Sequence, residues 1–314
     1  MIRQPNELAT KQDQKLRILI AGFPGIGKST LGLSAPRPLH IDVDMGVTRV
    51  SAKHRKPFIQ PKDYDEVLSD LKPENIKDFD TLVFDTGGKL LDFMKPWAIR
   101  KDSKNGKRDG SLSLQGYGAV GKEFNRLMDY SFYELKKNVV VIFHAKEEKD
   151  GDNTRLRILV EGQTKDNVWQ PMELGGFMEI HGNKRTIGFS NCEKYFAKGT
   201  HGISGVMTVP EADNQNNFLT DLFNKVNENI REEATLYAEE LTKYEEVIKE
   251  YTELINGIEN DSDANKAIPL IKQIPSILTA EREIKHLFKQ KTDELKLTYD
   301  KEMKSYVSSD TKPA

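Results

Sequence analysis

One cysteine, Cys192, stands among 314 residues, so no intramolecular disulfide can hold this chain. A lone thiol suits a reducing compartment, which gives the expectation of a cytoplasmic protein, and Cys192 itself reads as a small apolar residue buried in a strand. Charge of one sign is not in excess either. Lys and Arg number 47 against 49 Asp and Glu, for a net charge of -2. Such a balance excludes a global basic field, so any contact with nucleic acid has to come from a local patch. Long apolar runs are missing as well: no stretch approaches the ~20 residues that a membrane-spanning helix needs. The start, MIRQPNELATKQDQK, lacks the apolar core of a signal peptide, so no membrane partner is expected and residues 1–15 read as a flexible arm. Solenoid repeats and low-complexity tracts are likewise absent.

What is present is an alternation of short β-branched runs with helical patterns over residues 16–210. LRILIAG, PLHIDVD, TLVFDTG and NVVVIFHA are continuous rather than alternating, as central parallel strands covered on both faces require. Two strand-turn-strand patterns follow, EEKDGDNTRLRILVEG and MEIHGNKRTIGFSN, centred on Asp-Gly and Gly-Asn. The expectation is an α/β fold, mostly parallel, with antiparallel hairpins at one edge. From Ile230 through Ala234, Tyr237, Leu241, Tyr244, Ile248, Tyr251 and Ile255 to Ile258, apolar residues recur at spacings of four and three, a heptad seam. A second helical pattern runs from about Ala280 to Tyr306, and the prolines of IPLIKQIPS break the chain between the two. The first arm is acidic and the second basic, so residues 225–307 are expected to fold back as a helical hairpin, with a disordered tail at 308–314.

Gly22-Phe-Pro-Gly-Ile-Gly27-Lys28-Ser29 fits G-x-x-x-x-G-K-[ST] and lies between an apolar strand and a helical segment. Glycines let a backbone wrap phosphate oxygens so that its N–H groups form an anion cradle. Gly22, Pro24, Gly25, Ile26, Gly27, Lys28, Ser29 and Thr30 are therefore the expected nucleotide-binding residues, Lys28 reaching the β- and γ-phosphates and the Ser29 hydroxyl holding Mg²⁺. Asp85, ending the TLVFD run, supplies the second metal-associated oxygen. Asp42 and Asp44 close the strand after the loop. Asp44, farther out, is the expected group for positioning the attacking water. His144, ending another strand, is placed to hydrogen-bond a γ-phosphate.

The order strand, P-loop, helix, strand ending IDVD, strand ending VFDT, strand ending IFH resembles the RecA-like ATPase core. More closely, it is similar to the phage nucleotide-binding ATPases of recombination modules linked to single-strand annealing. The resemblance covers residues 15–205 and implies ATP with Mg²⁺, single-stranded DNA, a homo-oligomer, and phage or host replication and recombination proteins as partners of the helical tail. In that family the water-activating carboxylate follows the second strand as I-D-x-E; here Ile41-Asp42-Val43-Asp44 carries Asp in place of Glu. A Lys-x-Arg near the end of the core reaches a neighbouring subunit's nucleotide; here Lys198 stands without the Arg. A DNA-facing loop is implied after the Asp85 strand, where Lys95, Arg100, Lys101, Lys104, Lys107 and Arg108 lie with Trp97 and Tyr117 in a segment expected to be flexible. Two other classes remain open from the residues alone: a P-loop kinase of a small molecule, and a nucleotide-dependent scaffold with little turnover.

Overall fold

The computed structural model describes residues 13–150, 153–161, 164–211 and 217–308. The expected arm falls mainly, and the expected tail almost wholly, outside these residues. The described chain divides into a sheet unit ending at Asn229 and a helical unit from Ile230 onward.

The sheet unit contains, in chain order, β1 (Arg17–Gly22), α1 (Lys28–Gly32), β2 (Pro38–Asp42), β3 (Phe58–Ile59), α2 (Tyr64–Asp70), α3 (Pro73–Ile76), β4 (Thr81–Asp85), α4 (Gly87–Lys101) and α5 (Leu114–Asp129). It continues with β5 (Asn138–Asp150), β6 (Asn153–Ile158), α6 (Thr164–Asn167), β7 (Leu174–His181), β8 (Lys184–Gly188), β9 (Val206–Val209) and the start of α7 (Phe218–Asn256). The strand order is β3-β2-β4-β5-β1-β7-β8-β9, with β6 paired to the outer half of β5. From β3 to β7 every pairing is parallel, and the hairpins β5–β6, β7–β8 and β8–β9 are antiparallel. This is the RecA-like arrangement expected: one strand, β5, separates the loop-bearing β1 from β4.

The continuous apolar runs explain the architecture. Every residue of β1, β2 and β4 is buried, so these strands need cover on both faces. On one face Phe84, Val141 and Phe143 pack with Leu90 and Met94 of α4 and Phe124 and Leu127 of α5. The start of α7 belongs to the same unit: Leu219 donates its N–H to Ser34 Oγ at 3.0 Å, Val226 is fully buried, and Asn227 Nδ2 donates to the Gln14 carbonyl.

Register sets the strand ends side by side. Asp42 pairs with Asp85 and Gly22 with His144, so the carboxyl ends of β2, β4 and β1 meet along one rim beside the middle of β5, which runs on through its pairing with β6 to Asp150 rather than ending at His144 as expected. Thr86, immediately after Asp85, caps α4 by accepting the Lys89 N–H at 3.3 Å, which turns the chain away sharply and leaves Asp85 at the rim.

Several expectations are corrected by the structure. Cys192 is exposed, in the connection after β8, rather than buried in a strand. The basic segment is not an open loop: Lys95 to Lys101 lie in α4, with Pro96 inside the helix and exposed. Water can serve the carbonyl that a proline leaves unpaired on a solvent face, which is why the helix survives it. Trp97, expected in a flexible segment, lies in α4 and stands edge-on to Tyr64 with ring centroids 5.2 Å apart.

In the helical unit the remainder of α7 is followed by α8 (Asp261–Ile271), α9 (Ala280–Glu294) and a hairpin of β10 (Leu297–Asp300) and β11 (Ser305–Ser308). Ile255, Ile258, Ala264, Ile271, Ile284 and Phe288 form its core, joined by Tyr244, Ile248 and Tyr251 of the seam. The second helical pattern therefore stops at Glu294, short of the expected Tyr306. Asp300 Oδ1 accepts the N–H groups of Glu302 and Met303 and fixes the turn, and Tyr299 pairs with Tyr306 across it. Pro269 lies inside α8, so the first of the two prolines does not end that helix. Among the described residues no helix is long and apolar enough to cross a membrane.

Candidate functional site

Gly22 to Ser29 forms a tight loop from β1 into α1 whose backbone calls for glycine. A Cβ on Gly22 would stand 2.9 Å from the Met178 carbonyl oxygen, and Gly27 has a φ of +98°, in the region that side chains avoid. Pro24 and Gly25 are exposed, Thr30 is half-buried, and Ile26 tucks into the interior. Lys28 is only 4 % exposed and its ammonium donates to the Phe23 carbonyl at 2.7 Å, so the cation is held within the curl of the loop. Burial pushes its pKa down to about 8, with the charge of Asp85 opposing the shift.

Asp85 is 7 % exposed, with His40 Nε2 3.3 Å from its Oδ2. Burial alone would raise its carboxyl, but the neighbouring His40, the Ser29 hydroxyl and the Lys28 charge outweigh it, and Asp85 lies below the usual carboxylate range. It is therefore ionised at neutral pH. A hydroxyl and a carboxylate, both hard oxygen donors, face each other across the loop. This donor set fits a magnesium ion that completes its shell with phosphate oxygens and water, and among the described residues no group of three or more His, Cys, Asp or Glu forms an all-protein cage.

The two aspartates after β2 separate in role. Asp42 is fully buried and accepts the N–H groups of Gly46 and Val47 at 2.7 and 2.9 Å and Gln60 Nε2 at 2.7 Å. Its oxygens are engaged in holding the turn. Asp44 lies beyond the strand end; its N–H donates to the Asp85 carbonyl at 3.2 Å, and its Oδ2 accepts from Arg49 Nη2 at 2.5 Å. His144 is half-buried beside them, and its pKa is lowered by burial and then by Lys28, against the opposing pull of Asp44 and Asp85. The imidazole is neutral at pH 7, and its buried Nδ1 has no hydrogen-bond partner among the described residues. Asp44, Thr86 and His144 form one wall of a cavity of about 820 Å³ whose other walls include Lys89, Tyr117 and Leu159.

The structure thus brings Lys28, Ser29, Asp85, Asp44 and His144 to one rim. Lys198 is not among them: its ammonium donates to the Met172 carbonyl, ahead of the amino end of β7. Of the basic segment, Arg100 pairs with Asp65, Lys95 with Asp92 and Glu161, and Lys101 lies 5.4 Å over the Trp97 ring. Lys104, Lys107 and Arg108 are exposed. Two residues that sequence reasoning passed over also reach the site. His40 backs Asp85 from the neighbouring strand, and an alternation-free strand gave no reason to single it out. Arg185, on β8, donates Nε to the Ile26 carbonyl at 3.1 Å. That contact joins positions 159 residues apart, and its only local sign was a cation just past the Gly-Asn turn.

Comparison with known proteins agrees in part with this geometry. The model of a family described as the AAA domain matches residues 14–201, more than half of the chain. No curated protein matches it. Among solved structures, the flagellar accessory protein FlaH from Methanocaldococcus jannaschii shares 13 % identity at a TM-score of 0.34, over 65 % of this chain and 89 % of that one. A prototypical ATPase from the type III secretion system of pathogenic bacteria shares 13 % identity at 0.33, over 52 % of this chain and 51 % of that one.

Proposed function

The chain belongs to the AAA domain family, a P-loop ATPase family, and from that premise we propose that it hydrolyses Mg-ATP in step with single-stranded DNA, as part of a phage recombination, annealing or replication apparatus. The observation that carries the catalytic half is the burial of Lys28, in the loop after β1, and of Asp85, at the end of β4, on one rim. Uncompensated charges are not kept in a protein interior, and the opposite charges of these two offset part of each other's burial. Bound nucleotide with Mg²⁺ supplies the phosphoanhydride bond and the charge neutralisation that its cleavage needs. Lys28 binds the outer phosphates through its ammonium; Ser29 and Asp85 hold the metal shell. Asp44, freed from or shared with Arg49, orients the attacking water, and neutral His144 donates or accepts a hydrogen bond at the terminal phosphate.

The DNA half is supported by position and charge. Lys104, Lys107 and Arg108 are exposed beyond the far end of α4, the helix that Thr86 caps beside the phosphate rim. Cations there bind a phosphodiester backbone without sequence preference. Lys198, held on a backbone carbonyl in its own subunit, serves a neighbour's nucleotide in a homo-oligomer. The test is phosphate release from ATP with and without single-stranded DNA. Stimulation supports the whole reading. Turnover indifferent to DNA removes the DNA half, and nucleotide binding without turnover favours a scaffold.

With three exposed cations meeting phosphates, the log-log dependence of DNA affinity on salt should have a slope of about -2, from a contribution near -0.7 per contact. Replacing Lys104, Lys107 and Arg108 with Ser should flatten it. An unchanged slope would place DNA elsewhere on the protein.

A further inference from the structure

We propose that Arg185 is a nucleotide-contacting residue acting within its own subunit, a fixed fork for the α-phosphate on the side of the P-loop away from Asp85 and His144. The inference rests on the reading that Lys28 and Asp85 hold the triphosphate.

The sheet order gives the direction. β5 and β4, carrying His144 and Asp85, lie on one side of β1, and β7 and β8 on the other. A triphosphate whose terminal phosphate is met by His144 and Asp85 extends its inner phosphate and nucleoside across β1 toward β7 and β8. The β7–β8 hairpin is brought tight against the loop there, because Gly22 pairs with Met178 and has no room for a side chain. Arg185, directly opposite Ile180 in the hairpin, reaches back over the loop.

Its attachment leaves the reactive end free. Nε donates to the Ile26 carbonyl, and the backbone of Gly27 passes so close that a Cβ there would lie 3.6 Å from that nitrogen. Among the described residues, no carboxylate pairs with the guanidinium. A guanidinium anchored through Nε keeps four N–H bonds on its two terminal nitrogens in a rigid plane, which matches the spacing of phosphate oxygens. The anchoring carbonyl belongs to the loop itself, so the fork moves with the cradle and loses little rotamer freedom when the anion arrives.

The experiment uses the full chain and measures dissociation constants for ADP and for ATP by calorimetry, together with steady-state hydrolysis. Arg185→Ala should weaken ADP and ATP equally, by about tenfold or more, as removal of a charge-assisted contact does. KM should rise by a similar factor while kcat stays within about threefold. Arg185→Gln keeps an N–H donor for Ile26 but not the charge and should show the same loss; this separates phosphate contact from support of the loop. Loss confined to ATP would make the residue a reader of the terminal phosphate and overturn the proposal. So would a fall in kcat with unchanged affinity, full affinity in both variants, or wild-type affinity in Arg185→Gln alone. Wild-type protein that binds ATP no better than Lys28→Ala would overturn the nucleotide site itself, and Arg185 with it.

Discussion

In the sheet unit Lys28, His40, Asp42 and Asp85 are all buried, whereas in the helical unit the buried polar residues among those described reduce to Thr292. The helical unit carries its many charges on exposed pairs such as Lys285 with Glu281 and Lys266 with Asp263. Exposed pairs of this kind contribute a few tenths of a kcal/mol each and keep a helix soluble. A buried charge, by contrast, costs several kcal/mol unless another group meets it: the turn after β2 meets Asp42, whereas Lys28 and Asp85 stand at the phosphate rim, where their retention marks chemistry rather than stability. The difference teaches where to cut the molecule apart: function should fail on single-atom changes in one unit and tolerate large changes in the other.

The largest effect is expected at Lys28. Lys28→Ala removes the cation of the cradle and leaves Asp85 with a weaker local balance, so nucleotide affinity should fall by two orders of magnitude or more and hydrolysis should disappear. Calorimetric titration with ADP and a phosphate-release assay check it. Wild-type turnover in this variant would break the comparison at its base.

The neighbouring aspartates sharpen it. Asp44→Asn should keep nucleotide affinity but lower kcat by a factor on the order of 10², the range for positioning a water. Asp42→Asn should act through the fold, because a carboxylate accepting the N–H groups of Gly46 and Val47 and Gln60 Nε2 becomes a group with one acceptor oxygen. A loss of about 1–3 kcal/mol follows from such an unmet buried group, read as a lower midpoint in thermal unfolding. If both variants lose turnover with unchanged stability, Asp42 shares the chemistry.

Acid–base behaviour separates the buried lysine from surface ones. With its pKa pushed down to about 8, Lys28 is partly neutral in mildly alkaline buffer, and bound phosphates favour the charged form. Binding then draws in a proton, so ADP affinity should be flat below about pH 8 and fall above it, by up to tenfold per pH unit. Lys28→Arg, charged throughout, should show no such fall. An identical alkaline decline in that variant would assign the titration to another group.

Much of the sheet unit was legible because its signals are local. Unbroken apolar runs name the central strands, and the spacing of glycines with Lys28 and Ser29 names the loop whatever surrounds it. The rim was legible by one further step, since parallel strands bring their carboxyl ends together and Asp85 and His144 each end such a run. What failed was decided by contacts distant in sequence. The basic segment was expected to be flexible, and the buried face of Leu90, Leu91, Met94 and Ala98 made its first part a helix. Tyr299 and Tyr306 suit a helical spacing as well as a hairpin, and the turn held by Asp300 settled the matter. Arg185 was invisible because nothing near it names Ile26 as its partner.

The smallest effect on nucleotide binding should come from loss of the whole helical unit. A chain ending after Asn229 loses the whole helical unit yet keeps Leu219, Leu222, Phe223 and Val226, all buried, and the bond between Asn227 and Gln14. It should bind ADP within about twofold of the full chain. Ending five residues earlier, after Asn224, removes Val226 and Asn227. Burying a valine contributes about 1.5–3 kcal/mol, and the lost amide leaves the Gln14 backbone without its side-chain partner. The chain ending at Asn224 should therefore unfold at a visibly lower temperature while the chain ending at Asn229 keeps the midpoint of its sheet unit. Equal stability of the two truncations would show that the last turns of α7 in the sheet unit contribute nothing to its fold. A large loss of ADP affinity on ending at Asn229 would mean that the exposed charge of the helical unit serves the nucleotide site after all, and the contrast between the two units would not hold.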